Sequence, residues 1–95
     1  MDIRFRDINT GIVEARAVVR LTDQILLNEI TILSREGKIE VEFPQKTFKA
    51  KDGKVHNLDI ILFDTEDQKN LFIFQVKEAF HEWRKKQKKV RIYES

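Results

Sequence analysis

A run of six cations near the end of the chain is the feature with the clearest chemical meaning. Residues 84–91 contain no acid, and their cations are Arg84, Lys85, Lys86, Lys88, Lys89 and Arg91. On a helix, positions three and four apart lie on one side, so several of these cations would point the same way. Such a row can neutralise phosphates and release counterions, which gives binding that weakens steeply with salt. The alternative is a solvated helix end whose cations complement the negative end of the helix dipole.

A second group of cations lies between residues 45 and 57, a polar and Lys-rich stretch with a turn signal at Asp52-Gly53. The lysines there are Lys46, Lys49, Lys51 and Lys54. Phe48 stands among them and could stack on an unpaired base while the lysines contact phosphates. The alternative is a solvated loop in which Phe48 packs down onto the core.

The other reactive residue types form no catalytic or metal-binding pattern. The only histidines, His56 and His81, are far apart in sequence, and there is no cysteine. No His-x-x-x-His spacing, Gly-rich phosphate loop or nucleophile elbow is present. The sequence therefore predicts a protein that is not an enzyme and that uses no metal, cofactor or small-molecule substrate.

The charges are distributed unevenly along a chain of 95 residues with net charge +2. Residues 84–95 carry six basic residues and one acid, whereas residues 1–83 carry twelve basic and fifteen acidic residues. A mildly acidic body with a basic end suggests a polyanionic partner. The length suits a single domain, residues 1–95, with a basic C-terminal helix end or tail at 84–95. The absence of cysteine, signal segment and membrane-length apolar run favours a soluble cytoplasmic protein without a membrane partner.

A long helix is predicted from Thr65 to Lys89. Thr65 and Gln68 have the spacing of a capping box, and two acids follow Thr65 at the positive end of the helix dipole. Apolar residues then recur at spacings of three and four and would form one face against a sheet: Phe72, Val76, Ala79, Phe80 and Trp83.

Strands with short turns are predicted before this helix. Alternating apolar residues indicate strands at 3–8, 12–21, 25–33 and 38–43, the last ended by Pro44. A short apolar strand at 58–63 would follow the basic loop. The predicted fold class is α+β, with a meander of about five antiparallel strands packed by one long C-terminal helix.

The strand at 25–33 is apolar on both faces, with Leu26 grouped with Ile30 and Ile32 on one face and Ile25 grouped with Leu27 on the other. One helix covers about one face of a small sheet, so a leftover apolar face favours a homodimer. The residues predicted at that interface are Ile25, Leu27, Ile30 and Ile32. The alternative is that the sheet curls and the loop folds over it.

The order of several short patterns resembles the SpoVG family, the bacterial stage V sporulation protein G or septation regulators. The patterns are Ile30-Thr31-Ile32-Leu33, a turn with Gly37, then Val41-Glu42-Phe43-Pro44-Gln45-Lys46. The spacing of Phe72, Val76, Ala79 and Phe80 is similar to the family's helix pattern, and the likeness spans about residues 2–82. The resemblance implies a highly bent antiparallel sheet, a dimer, and a regulator that binds DNA or RNA in division or sporulation.

Together these observations predict a small homodimeric regulator that binds nucleic acid, DNA or possibly RNA, through the basic end of its helix. The alternative is a non-enzymatic adaptor that docks a partner protein on an exposed apolar sheet face or on the helix end.

Overall fold

The chain folds into a four-stranded antiparallel sheet, a two-stranded hairpin and one long helix. The computed structural model describes residues 2–94 and their side chains as far as residue 87. The first four strands form a meander in the order β1-β2-β3-β4, while β5 pairs only with β6. The predicted α+β class with a C-terminal helix is confirmed. The elements are β1 (Asp2–Thr10), β2 (Val13–Arg20), β3 (Leu26–Arg35), β4 (Lys38–Glu42), β5 (Gln45–Lys49), β6 (Val55–Asp59) and α1 (Glu66–Glu94).

The core lies between one face of the four-stranded sheet and α1. Ala15, Ala17 and Val19 alternate along β2 and are fully buried, as the period of two in the sequence predicts. Val76 and Phe80 of α1 pack into the same cluster, so the predicted apolar face of the helix is confirmed. The other strands add partly buried side chains to it, namely Ile3, Phe5, Leu27, Ile39, Val41 and Phe43.

A bulge in β3 changes which of its side chains point into this core. Ala17 pairs with Ile30 and Val19 with Leu27, so three residue steps on β3 match two on β2. Glu29, within this step, has a left-handed φ of 59°. The extra residue puts Leu27 on the core face with Ile30 and leaves Leu26 exposed. The predicted grouping of Leu26 with Ile30 is therefore wrong.

Residues 45–59 differ from the prediction of a loop followed by a strand at 58–63. They form β5, a turn at residues 50–54 and β6, with Gly53 in a left-handed conformation (φ 82°) in the turn. We call residues 45–59 the arm. Residues 60–65 are irregular and lead into the helix, so the strand expected at 58–63 ends at Asp59.

The start of α1 follows the predicted cap. The hydroxyl oxygen of Thr65 accepts a hydrogen bond from the backbone N–H of Gln68 at 3.1 Å. Glu66 and Asp67 occupy the first turn, where their charge is favourable for the helix dipole. The helix then runs to Glu94, five residues beyond the predicted end.

Candidate nucleic-acid interface

Arg84, the first cation of the basic run, is held by acids from the sheet. Its guanidinium donates to Asp7 Oδ1 at 3.3 Å and to Glu14 Oε2 at 3.1 Å. It also donates to the backbone carbonyl of Glu14 at 3.2 Å and to Gln87 Oε1 at 2.9 Å. Only 22% of the Arg84 side chain is exposed. These contacts fix the last part of the described helix face to β1 and β2.

The same guanidinium lies against two aromatic rings. Its central carbon is 4.8 Å from the ring centroid of Trp83 and 5.2 Å from that of Phe80. Trp83 in turn stacks on Phe5 of β1 with centroids 5.3 Å apart. Trp83 therefore packs the helix onto the sheet, and Arg84 is a structural residue with little surface left for a ligand. Its predicted phosphate contact stays a prediction, for which 22% of the side chain is exposed.

Two of the other cations of the basic run have described side chains, and three do not. Lys85 and Lys86 are exposed, and Lys85 lies 3.6 Å from the carboxylate of Glu82, one helical turn earlier. Lys86 borders a hollow that Trp83 also lines. The side chains of Lys88, Lys89 and Arg91 lie outside the described residues. The run thus offers two described cations for a ligand.

The arm has an aromatic face and a polar face. All ten residues of β5 and β6 are exposed. Phe48 and His56 are cross-strand partners whose rings stack with centroids 5.5 Å apart and an angle of 24° between their planes. Lys46 and Leu58, also partners, continue this face. Phe48 therefore lies on the arm and does not pack into the core.

The opposite face of the arm is a ladder of polar contacts. Gln45 donates its side-chain N–H to Asp59 Oδ1 at 2.6 Å. The hydroxyl of Thr47 donates to Asn57 Oδ1 at 3.1 Å. Beyond them Lys49 pairs with Val55, and both side chains are exposed. This ladder fixes the strand register that brings the two rings together on the other face.

The lysines of the arm lack acidic partners among the described side chains. Lys46, Lys49 and Lys51 are exposed and take part in none of the salt bridges of residues 2–87. The two acids of the arm are occupied by other donors, since Asp52 accepts from the backbone N–H of Lys54 and Asp59 accepts from Gln45. The arm carries four lysines and two acids, so its net charge of +2 lies around the aromatic pair.

Three aromatic rings hold the arm at its base. Phe43 precedes β5, Phe63 follows β6 and Phe72 lies on α1. Their ring centroids are 5.5–5.8 Å apart in all three pairs. Because this cluster joins both ends of the arm to the helix, the direction of the arm is set by packing and not by the hairpin alone.

The four residues predicted at a dimer interface do not share one surface. Ile30 and Ile32 are fully buried in the core beneath α1, so neither is available to another chain. Leu27 is partly buried against the same core. Ile25 is 53% exposed, beside Leu26 with the same exposure. Of the predicted set, only Ile25 lies on open surface.

His56 is the residue of the candidate site that sequence reasoning missed. Its place in the candidate site follows from the strand register, which puts its ring beside that of Phe48. The signal available in the sequence is symmetric placement, since Phe48 and His56 are each four residues from Asp52. A hairpin centred on Asp52 would have predicted the pair, whereas a two-residue turn at Asp52-Gly53 would have placed Phe48 opposite Asn57.

The described part of the chain holds neither a metal-binding cluster nor a membrane-spanning helix. No group of three or more His, Asp or Glu side chains is placed to hold a metal ion in this part of the chain. No helix there is both long and apolar enough to cross a membrane.

Comparison with protein-family models, with curated proteins and with solved structures found no match. The SpoVG resemblance stays a prediction from the sequence.

Proposed function

We propose that this chain is a small, non-enzymatic, cytoplasmic regulator that binds nucleic acid through the arm. The observation that carries the proposal is the exposed, stacked Phe48–His56 pair on an arm whose lysines form no salt bridge with a described side chain. Aromatic rings on an extended strand pair offer flat surfaces to unpaired bases, and flanking cations hold the phosphates. The resemblance to the SpoVG regulators agrees with this function, and the exposed Lys85 and Lys86 of α1 would add contacts.

We expect the arm to bind a single strand more tightly than a duplex, because a ring pair can stack only on bases that are not already stacked in a helix. Lys46 lies on the same face as the rings, and Lys49 projects from the other face. The backbone of a strand could then pass along the arm while bases turn toward Phe48. Modest sequence preference is expected, because stacking is available to every base.

The test is a fluorescence-anisotropy titration of labelled single-stranded DNA, single-stranded RNA and duplex DNA at several salt concentrations. Phe48→Ala should weaken single-strand binding by about tenfold, since one base stack contributes about 1–3 kcal/mol. Lys46→Gln with Lys49→Gln should flatten the log–log salt slope by about 1.4, at about 0.7 per phosphate contact. Phe74→Ala is the matched control, because Phe74 is a similarly exposed phenylalanine on α1.

If F48A and F74A bind single-stranded DNA and RNA with equal affinity, the arm is not part of the contact surface. A wild-type protein that binds none of the three probes at low salt would contradict nucleic-acid binding as a whole.

A homodimer is part of the proposal, and its support lies at the turn between β2 and β3. Leu21, Ile25 and Leu26 are each about half exposed and close in sequence. An apolar cluster of this kind is suited to a twofold contact. Light scattering should give twice the chain mass for the wild type and the single-chain mass for Ile25→Asp.

A protein-binding adaptor is the second candidate function. Leu71 and Phe74 lie one helical turn apart on α1 and are 57% and 58% exposed, and Leu62 before the helix is 82% exposed. Exposed apolar side chains that lie one turn apart, as Leu71 and Phe74 do, are suited to a contact with a partner protein. This candidate requires that binding of all three nucleic-acid probes be absent in the titration described above.

A further inference from the structure

The sheet face that α1 does not cover carries a group of arginines. Because Ile3 and Phe5 of β1 pack in the core, the alternate residues Arg4 and Arg6 point to the opposite face. On β2 the core residues are at odd positions from 15 to 19, so Arg16 and Arg20 also point away from the helix. We call these four residues the arginine face: Arg4, Arg6, Arg16 and Arg20.

The strand register brings two of these arginines directly opposite each other. Arg6 of β1 pairs with Arg16 of β2, and Arg4 pairs with Val18 one step along. Side chains in such positions have Cβ atoms about 5 Å apart, and like charges placed there repel. This repulsive pair, between the edge strand β1 and its neighbour β2, destabilises the free protein, and an anion between the two guanidinium groups would remove the repulsion.

Internal acids do not supply that anion. Neither Arg6 nor Arg16 is in a salt bridge with any described side chain. Arg4 approaches Asp2 only to 3.8 Å, and both side chains are largely exposed. Arg20 donates to the backbone carbonyl of Asp23 at 3.2 Å, which leaves its charge in place.

The surroundings also favour a polyanion over a second copy of the same face. Across the sheet from Arg16 lie Thr31 and then Glu42. Glu40, the other acid of β4, is already paired with Arg35 at 3.7 Å. A second copy would therefore bring more unpaired arginine than acid to the contact. A shallow hollow at one end of the face is lined by Arg4 and Arg20, by the apolar Val18 and Leu26, and by the acid Asp2.

We propose that the arginine face is a phosphate-binding surface that holds the backbone of the nucleic acid whose bases the arm contacts. The ligand assignment rests on the proposed function. Arginine suits this role because its planar guanidinium can donate two hydrogen bonds to one phosphate. Arg4 and Arg6 are about 7 Å apart along β1, so the two guanidinium groups can contact separate phosphates. Contacts of this kind position a strand without reading its sequence.

The test compares Arg6→Gln with Arg16→Gln in one chain against a control that removes two cations from α1, Lys69→Gln with Lys77→Gln. One single-strand phosphate contact contributes about fivefold in affinity at 0.1 M salt, taking 1 M salt as the reference where the contribution vanishes. Loss of two contacts should therefore make R6Q/R16Q bind about 25-fold more weakly than the wild type at 0.1 M salt. Its log–log salt slope should fall by about 1.4. The melting temperature of unliganded R6Q/R16Q should rise by a few degrees, because the repulsion is gone. The control should change neither the affinity nor the slope appreciably.

A second variant keeps the charge and changes the geometry. Arg6→Lys with Arg16→Lys should retain the wild-type salt slope and lose a few-fold in affinity, because lysine cannot make the paired hydrogen bonds. If R6Q/R16Q binds like the control while F48A is weakened, the arginine face is not a phosphate site and the arm proposal stands. If the wild type binds no polynucleotide, both proposals fall. If R6Q/R16Q loses binding only to vesicles of phosphatidylserine, the ligand is a lipid surface and this inference is overturned.

Discussion

Replacing Arg84 with Gln tests whether the first residue of the basic run acts in folding or in binding. The guanidinium joins Asp7 and Glu14 of the sheet to α1 and lies against Trp83. A partly exposed ion pair contributes about 0.5–1 kcal/mol and a cation–π contact a similar amount, so we expect R84Q to lose about 2 kcal/mol of unfolding free energy. For a domain of this size that lowers the melting temperature by about 8–16 °C.

Lys85→Gln is the matched control, because it removes the neighbouring cation from an exposed position. Its pair with Glu82 at 3.6 Å is solvated on both sides. Such a pair contributes about 0.5 kcal/mol or less, which corresponds to at most about 4 °C in melting temperature. The two variants carry the same change in net charge, so their difference isolates the contacts of Arg84 from general electrostatics.

The assay is thermal unfolding by circular dichroism, combined with a double-mutant cycle that includes Glu14→Gln. The cycle should give a coupling of about 1 kcal/mol between Arg84 and Glu14. In a titration well below the melting temperature, R84Q should keep the wild-type salt slope for single-stranded DNA. If R84Q melts like K85Q, the structural role of Arg84 is refuted. If its salt slope falls by about 0.7, Arg84 contacts the nucleic acid.

Two further substitutions test the packing of β3. Ile32→Ala should lower the unfolding free energy by about 3 kcal/mol, because it leaves a cavity in the core. The loss should be the same at all protein concentrations. A loss that vanished on dilution would instead assign Ile32 to a dimer contact. Glu29→Gly should raise the unfolding free energy by about 0.5–1 kcal/mol, because φ of 59° strains a residue with a Cβ. The comparison for the second is Glu42→Gly in β4, which should lower stability by about 0.5–1 kcal/mol, and equal signs for the two variants would contradict the strain argument.

The elements with strong periodicity could be predicted from the sequence. Alternation along β2 and β4 located their core faces, and the cap at Thr65 located the start of α1 within one residue. These signals are local, because a strand or helix with one buried face must repeat its apolar residues at the period of the backbone. The sequence pattern should agree with the structure wherever a strand or helix has one buried face and one face exposed to solvent.

The faces of β3 could not be predicted, because a bulge depends on the pairing partner. Nothing at Glu29 in the sequence signals a left-handed residue, and glutamate rarely adopts one. One extra residue reverses every side chain on one side of it, so Leu27 and Leu26 exchanged roles. The bulge accounts for the partial burial of Leu27, whereas Ile30 and Ile32 are buried because their face of the sheet packs against α1.

The two strands of the arm could not be predicted from their composition. Its strands are exposed on both faces, so they show no buried side from which a period could be read. What holds them is a cross-strand ladder, such as Gln45 with Asp59, and the ring cluster at the base around Phe63. Both depend on residues that are distant in sequence, and neither leaves an apolar run.

Runs of charge in a sequence and unneutralised charge on a surface are different quantities in this molecule. Arg84 belongs to the most basic stretch of the chain, yet Asp7, 77 residues earlier, accepts hydrogen bonds from it in the fold. Arg6 and Arg16 lie in the acidic body of the chain, yet pairing of β1 with β2 places them side by side without an acid. The acidic excess of residues 1–83 is thus partly used to hold the start of the basic run. It follows that the proposed phosphate contacts should be tested first at the cations of the sheet and the arm that form no salt bridge with a described side chain.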